Sequence, residues 1–255
     1  GFSYKAWARV GDVYFGTDAF NVNETGQFTT ASGTFRDKSF VLAADVTDAD
    51  LVVISVEGKR GGGDAPSESV VLAADVTGDT MTLSASHPAA LGASFSASSG
   101  QFTIMTPSDT DPTNETHGVW FVAGSGDNLS AGLSLPALPS GWVYEGWVET
   151  ADNGRFSTGT FTANSGQDSS FFYSNPDVPP FPGEDFLFNA PAGVVFPLDL
   201  SGHTVTITAE PFPDDTIAPY GITVLQGSIP SGVQGGSVHA LTGTSIVPSA
   251  TLTIF

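Results

Sequence analysis

Apolar and polar residues alternate over short stretches of the chain, as they do in strands that bury one face. Clear examples are Met81-Thr-Leu-Ser-Ala85 and Gln101-Phe-Thr-Ile-Met105. Leu51-Val-Val-Ile-Ser-Val-Glu57 is apolar enough for an interior strand, and no stretch keeps a helical period over three turns. The pattern therefore predicts an all-β chain of many short strands.

Glycine and proline separate these stretches and predict the turns between them. Residues 6–22 read as a hairpin that reverses at Gly11-Asp12. The heptamer Val-Leu-Ala-Ala-Asp-Val-Thr occurs twice, at 41–47 and at 71–77. We predict a strand at the start of each copy and interpret the pair as two neighbouring strands in similar environments.

Landmarks of the first half return in the same order in the second half. Tyr4 and Trp7 correspond to Tyr144 and Trp147, both at an offset of 140 residues. Ala65-Pro and Ala218-Pro, and the segments 99–104 and 249–254, also correspond. The order predicts two tandem antiparallel β-sandwich domains of the Ig-like kind, residues 1–125 and 126–255.

One family is similar to this chain in an ordered set of short motifs. They are Leu135-Pro-Ala-Leu-Pro-Ser-Gly-Trp-Val-Tyr-Glu-Gly-Trp-Val148, Ser157-Thr-Gly-Thr-Phe161, Thr206-Ile-Thr-Ala-Glu-Pro211 and Ala218-Pro219. The set resembles the extracytoplasmic domain of bacterial anti-sigma-K factors over most of residues 135–225, and more faintly over residues 1–75. The resemblance implies a β-sandwich outside the cytoplasmic membrane without enzymatic activity.

The family pattern is matched better by the second copy than by the first. Ala6 stands where the second copy has Gly146, and Gly58 follows Glu57 where Pro211 follows Glu210. The sigma-binding region and the membrane helix of a full anti-sigma factor are not in this sequence, so we do not predict transcriptional control. The matching residues are Tyr144, Gly146, Trp147, Gly159, Phe161, Glu210 and Pro211, with Tyr4, Trp7 and Phe20 in the first copy.

The first copy has no counterpart of the Leu133-Ser-Leu135 strand that we predict at the opening of the second. A sandwich without that strand would leave the edge beside Tyr4–Trp7 unpaired, and an unpaired edge is a template for another chain. Either the natural protein continues upstream, or another subunit donates the strand. This expectation motivates the functional prediction below.

Charge and composition exclude several classes of partner. The net charge is −20, and six of the seven basic residues lie within residues 1–60. Such a surface repels nucleic acid and anionic lipid. The chain has no cysteine and no run of about 18 apolar residues, so we predict no disulfide and no membrane span. The acidic surface suits an extracellular or cell-surface location.

No set of residues indicates catalysis, and we predict a non-enzymatic protein without a cofactor. The four histidines are dispersed, and no Gly-x-Ser-x-Gly motif occurs. Calcium is the one metal with candidate ligands, because it takes clustered loop oxygens. Asp109, Asp111 and Glu115 share one loop, and Asp45, Asp48 and Asp50 share another.

Two further kinds of site can be read from the residues. Asn23, Asn114 and Asn128 each begin an Asn-x-Ser/Thr sequon in a predicted polar loop and could carry glycans. The aromatic residues around Trp142 could stack on sugars, although core packing is the default for such rings. Strand alternation places Trp142 and Tyr144 on one face and Trp147 on the other.

These observations predict a non-catalytic extracellular structural or adhesive protein, such as a surface-layer or filament subunit. Its copies would assemble by β-strand pairing, and its partners would be itself or another cell-surface protein. The alternative is an extracytoplasmic ligand-binding or sensory module related to anti-sigma ectodomains.

Overall fold

The computed structural model describes residues 2–30, 32–58, 63–124, 126, 128–150, 152, 154–213, 216–244 and 247–255. Its regular structure consists of strands, and none of the described residues lies in a helix. The predicted all-β fold class is therefore confirmed. The strands are β1 (Ser3–Val10), β2 (Val13–Gly16), β3 (Asn21–Val22), β4 (Phe28–Thr29), β5 (Leu51–Glu57), β6 (Val70–Asp75), β7 (Thr80–Ser84), β8 (Ser99–Ile104), β9 (Gly118–Trp120), β10 (Val122–Ala123), β11 (Ser130–Ala131), β12 (Leu133–Ser134), β13 (Trp142–Glu149), β14 (Arg155–Phe161), β15 (Gly183–Asp185), β16 (Thr204–Pro211), β17 (Thr223–Ser228), β18 (Val238–Gly243) and β19 (Ser249–Thr253).

Two large antiparallel sheets contain most of these strands. One has the order β19-β7-β6-β5-β1-β2. The other has the order β14-β13-β16-β17-β18-β8-β9-β15, with β12 also paired to β8. Short ladders join β3 to β4 and β10 to β11. No helix that could span a membrane occurs in the described part of the chain.

The strands of the two copies of the sequence repeat pair with their neighbours in the same register. β1 pairs with β5 as β13 pairs with β16, and β5–β6 and β16–β17 each carry a bulge at the same place, after Ile54 and after Ile207. Residues of β1 and β13 correspond at an offset of 140, and those of β5 and β16 at 153. The matched pairs are Tyr4–Val56 with Tyr144–Ala209, and Trp7–Val53 with Trp147–Thr206.

The last strands of the two copies are exchanged. β19 belongs to the second copy by sequence but pairs with β7 of the first, and β8 belongs to the first but pairs with β18 of the second. The registers agree, since Leu83 lies opposite Ala250 and Leu241 lies opposite Gly100. Strand pairing therefore crosses residue 125 in both large sheets. The division into two tandem sandwiches, residues 1–125 and 126–255, remains a prediction.

Apolar side chains from both sheets meet in a large core. Leu72 and Leu83 of the six-stranded sheet belong to the same buried cluster as Phe102, Tyr144 and Ile207 of the other. Because strand residues alternate between faces, Trp7 and Val53 point the other way. They form a small second cluster with Ala90.

The predicted unpaired edge beside Tyr4–Trp7 does not occur. β1 lies between β2 and β5 and is paired on both sides. Leu133-Ser134 is a strand as predicted, but it pairs with β8 and not with the hairpin that follows it. The expectation was wrong because it assumed that Leu133-Ser134 pairs with the hairpin that follows it in the sequence. The sheet of the first copy ends instead in β2 on one side and in β19 on the other, and neither pairs with a further strand among the described residues.

The two copies of the heptamer adopt different structures. Residues 71–75 lie in β6, whose residues pair with β5 and, at Ala73, with β7. Residues 41–47 belong to no strand, and Val41 is 98% exposed. The predicted strand over residues 39–43 was therefore wrong, because this segment forms no β-ladder with any described residue. The predicted hairpin at Gly11-Asp12 is confirmed.

Candidate functional site

An open strand edge and an apolar cavity lie side by side at the end of the six-stranded sheet. β19 is the outermost strand, with β7 on one side and no paired strand on the other within the described part of the chain. The adjacent cavity has a volume of about 600 Å³. It is lined by strand residues that include Ala6, Ala8, Val52 and Leu252. Together these features form the candidate site.

Aromatic residues and the irregular segment line other parts of the cavity. Phe20 and Phe28 stack with ring centroids 4.7 Å apart, and Phe40 packs against Phe20 at 5.3 Å. All three rings line the cavity, as do Val41, Leu42 and other residues of the irregular segment 38–47. The walls are therefore mainly apolar, as in sites that take apolar groups.

The hydrogen-bonding groups of β19 alternate between its two sides. The backbone N–H of Ile254 donates to Asp79 O, beside β7. Because successive N–H groups of a strand point in opposite directions, those of Thr251 and Thr253 point to the open side. β19 has no charged residue and no proline. It thus lacks two of the features by which sheet edges usually prevent pairing, namely charged residues and proline.

The strand equivalent to β19 is β8, and its outer edge is covered. β8, β9 and Phe121 precede residue 126 but pack with the strands of the second copy, so they are counted with that copy. The side of β8 that faces away from β18 pairs with β9 at Thr103 and Ile104 and with β12 at Ser99 and Gly100. Behind β9, Phe121 is completely buried, and its ring lies 6.3 Å from that of Phe161.

Gly146 gives Phe121 its space. A Cβ atom at residue 146 would lie 2.7 Å from Phe121 Cε2 and would also collide with the Thr158 hydroxyl. In the first copy the corresponding residues are Ala6, Thr17 and Phe20, and all three line the cavity. The cavity is therefore the place that Phe121 fills in the second copy, which explains why alanine is accommodated where the second copy needs glycine.

The aromatic motif residues are structural. Trp142, Tyr144 and Trp147 are each at most 3% exposed, so they offer no platform for a sugar. Trp142 and Tyr144 join the large core and Trp147 faces the other way, which confirms the predicted faces. The Trp147 indole N–H donates to Thr208 Oγ1 at 2.9 Å, as that of Trp7 donates to Ser55 Oγ at 2.8 Å.

The remaining motif residues that the sequence singled out are also part of the packing. Tyr4 is half-buried, and its hydroxyl accepts a hydrogen bond from that of Tyr220 at 3.0 Å. Glu210 accepts from the backbone N–H of Tyr220, as Glu57 accepts from that of Ser67. The buried residues are Trp7, Phe20, Tyr144, Gly146, Trp147, Gly159, Phe161, Glu210 and Pro211.

The candidate calcium ligands use their oxygens to fold their own loop. Asp109 accepts from the Asn114 side chain at 2.6 Å, and Asp111 accepts from Thr113. Glu115 accepts from the backbone N–H of Thr106. Among the described residues, no three His, Cys, Asp or Glu side chains are arranged to hold a metal ion. Calcium binding there, and at the Asp45, Asp48 and Asp50 loop, stays a prediction that the geometry does not support.

The three sequons differ in how available their amides are. Asn128 is exposed. The Asn23 amide donates to Gln27 Oε1 at 3.2 Å within an exposed turn. The Asn114 amide donates to Asp109 inside a part-buried loop. Glycosylation therefore remains a prediction, and Asn128 is the residue that best fits it.

Three carboxyl groups are withdrawn from water near β15. The adjacent pair Glu184-Asp185, which the sequence suggested as solvated loop carboxylates, is instead buried in that strand. Burial raises the pKa of Glu184 to about 8, that of Asp168 to about 7 and that of Asp185 to about 6. Asp185 accepts hydrogen bonds from the Trp120 indole at 2.7 Å and from the Ser108 backbone N–H at 2.8 Å. Glu184 Oε2 has no hydrogen-bond partner among the described residues. The partners of Asp185 are distant in sequence, so no local pattern marks its burial.

Searches against protein families, curated proteins and solved structures found no match to this chain.

Proposed function

We propose that this chain is a non-catalytic extracellular structural or adhesive protein whose copies associate by pairing of β-strands. The observation that carries the proposal is the open edge of β19, which is uncharged, free of proline and next to an apolar cavity. Backbone groups along such an edge supply affinity, and pockets for alternate side chains supply specificity. The acceptor edge is thus β19 rather than β1.

The extracellular part of the proposal has separate support. The resemblance to anti-sigma-K ectodomains suggests a compartment outside the cytoplasmic membrane, and the net charge of −20 suits a surface that stays dissolved. Protease treatment of intact producing cells tests it. An extracellular protein is digested while the cells remain intact, and a protein that is digested only after lysis contradicts the location.

The association is tested by sedimentation equilibrium of the full chain and of two variants at residue 251. Thr251→Pro removes an N–H from the open side of β19 and leaves the β7 ladder intact, so it is expected to shift the protein to monomers. Thr251→Val keeps that N–H and is the matched control. A wild-type chain that is monomeric at every concentration, or a proline variant that associates like wild type, would contradict the proposal.

A second candidate function is ligand binding, as in a sensory module, and the cavity is the observation that favours it. A volume of about 600 Å³ is within the range of small-molecule sites. Titration with a long-chain fatty acid followed by calorimetry tests this candidate. Saturable binding that Ala6→Phe abolishes would support it, and no heat of binding would rule it out for that ligand class.

A further inference from the structure

The second copy contains the strand arrangement that the first copy lacks. β9 and β12 cover the outer edge of β8, and the residues of β8 that they contact are Thr103, Ile104, Gly100 and Ser99. By the offset of 150 between β8 and β19, the corresponding positions are 253, 254, 250 and 249. The outer edge at those positions carries no paired strand among the described residues.

The residue that follows β9 anchors the covering strand. Phe121 N–H donates to Pro182 O, and Phe121 O accepts from Gly132 N–H. These backbone bonds hold the phenyl ring over Gly146, where it is completely buried. An edge strand and one deeply placed aromatic ring therefore act together in the second copy.

We propose that the β19 edge and its cavity are an acceptor site for a strand from another polypeptide that inserts a large aromatic side chain over Ala6. This inference rests on the proposed function and specifies the partner. The incoming strand runs antiparallel to β19, as β9 runs to β8. Its aromatic residue lies just beyond the residues that pair with positions 253 and 254, and the side chains beside it are uncharged.

The cavity has room and chemistry for this group. Its wall contains Ala6, Thr17 and Phe20, the counterparts of the three residues around Phe121. Ala6 is 8% exposed, so its methyl group faces the cavity rather than open solvent. A ring placed there would contact Phe20 as Phe121 contacts Phe161 in the second copy.

The probe is a synthetic peptide with the sequence of residues 117–124, His-Gly-Val-Trp-Phe-Val-Ala-Gly. It carries the covering strand of β8 together with its aromatic anchor. We expect it to bind the full chain and to slow hydrogen exchange at the N–H groups of Thr251 and Thr253. A peptide with alanine in place of its phenylalanine is the matched control and is expected to bind at least tenfold more weakly.

Two protein variants locate the binding. Ala6→Phe fills the cavity from within, and Thr251→Pro removes an edge donor, so each is expected to weaken peptide binding at least tenfold. Thermal unfolding of each variant shows that it is folded. Peptide that fails to bind wild type, or binds both folded variants as tightly as wild type, overturns the inference.

The same variants separate this inference from the proposed function. One outcome is that the peptide does not bind while self-association still depends on Thr251. That outcome would overturn the aromatic acceptor site and leave the proposed strand pairing between copies intact. A fatty acid that fills the cavity and is not displaced by the peptide would also overturn the acceptor site, in favour of a small-molecule ligand.

Discussion

Gly146 and Ala6 occupy equivalent positions in β13 and β1, and they differ because their surroundings differ. The ring of Phe121 and the hydroxyl of Thr158 leave no room for a methyl group at residue 146. At residue 6 the same space belongs to the cavity, so a methyl group is accommodated. One side chain that lies far away in sequence thus determines which residue type each strand can hold.

Gly146→Ala is expected to destabilise the protein by about 1–3 kcal/mol, because an added methyl group overpacks a closed site. The control is Gly58→Ala, since a Cβ atom at residue 58 meets nothing within 4 Å. Chemical denaturation measures both free energies of unfolding. Equal stability of the two variants would mean that the Phe121 ring does not occupy the position described.

Glu184 makes the stability depend on pH in a direction opposite to that of most carboxylates. Burial raises its pKa in the folded protein from 4.5 to about 8. Unfolding then releases a proton at intermediate pH, so its contribution to stability is full below pH 4.5 and is lost as pH rises towards and through about 8. Asp168 and Asp185 shift in the same direction.

Glu184→Gln removes that dependence, because glutamine is neutral at every pH. At pH 9 the variant is expected to be more stable than wild type, by a margin on the order of 2 kcal/mol. Near pH 5 the two should unfold at similar temperatures. Glu24→Gln, at an exposed loop residue, controls for the loss of one negative charge. A wild-type unfolding temperature that rises between pH 5 and pH 9 would contradict the assignment.

At the scale of elements, the repeated heptamer demonstrates that a strand needs a partner as well as a sequence. At 71–75 it lies between two strands and pairs with both, while at 41–47 it closes one side of the cavity. Local β-propensity is the same in the two places, so tertiary context decides the outcome.

Substituting proline for the third residue of each heptamer distinguishes the two environments. Ala73→Pro introduces a residue without an N–H between β5 and β7 and is expected to cost about 3 kcal/mol or more. Ala43→Pro lies outside any ladder and is expected to change the unfolding free energy by less than about 1 kcal/mol. Urea denaturation compares them. A large decrease in the unfolding free energy of Ala43→Pro would indicate that residues 41–47 form a paired strand.

Sequence reasoning recovered those elements whose signal is local. Alternation located β7 and β8, and the Gly11-Asp12 turn predicted the first hairpin. Comparison of residues 99–104 with 249–254 identified β8 and β19 as counterparts. The exchange of β8 and β19 could not be predicted, because the two strands have similar patterns of apolar and polar residues. Either strand would therefore fit the edge of β7 or the edge of β18.

The candidate site was beyond the reach of local patterns for a related reason. Among the described residues, no counterpart of Phe121 lies over Ala6, where the cavity is found. The trace of this difference in the sequence is alanine at residue 6 where the second copy has glycine, and it does not indicate which contact is missing. The sequence indicates a missing strand beside Tyr4–Trp7, because the first copy has no counterpart of Leu133-Ser-Leu135. The sequence therefore predicted the open edge at β1, whereas the open edge beside the cavity is that of β19.

At the scale of the whole molecule, the exchanged strands tie the two sequence halves together. β8 and β19 each complete the sheet of the opposite half, and one large buried cluster receives side chains from both. Separating the halves would uncover two sheet edges and much of that core.

A chain cut between the halves is therefore expected to remain in one piece. A protease recognition sequence placed at the exposed residue Gly126 allows cleavage after folding. The two fragments should elute together from a sizing column under native conditions and separate in denaturant. The uncut insertion variant controls for the inserted residues. Fragments that part without denaturant would indicate two independent domains.

The position of β19 has a consequence for mechanical load. Four antiparallel steps lead from β1 through β5, β6 and β7 to β19, so β1 and β19 run in the same direction. Tension applied at the start of β1 and the end of β19 would pull on opposite ends of one sheet. Such a pull slides the strands along each other, and several ladder hydrogen bonds must break together before any strand leaves. A subunit loaded in this way resists tension in shear rather than opening bond by bond like a zipper.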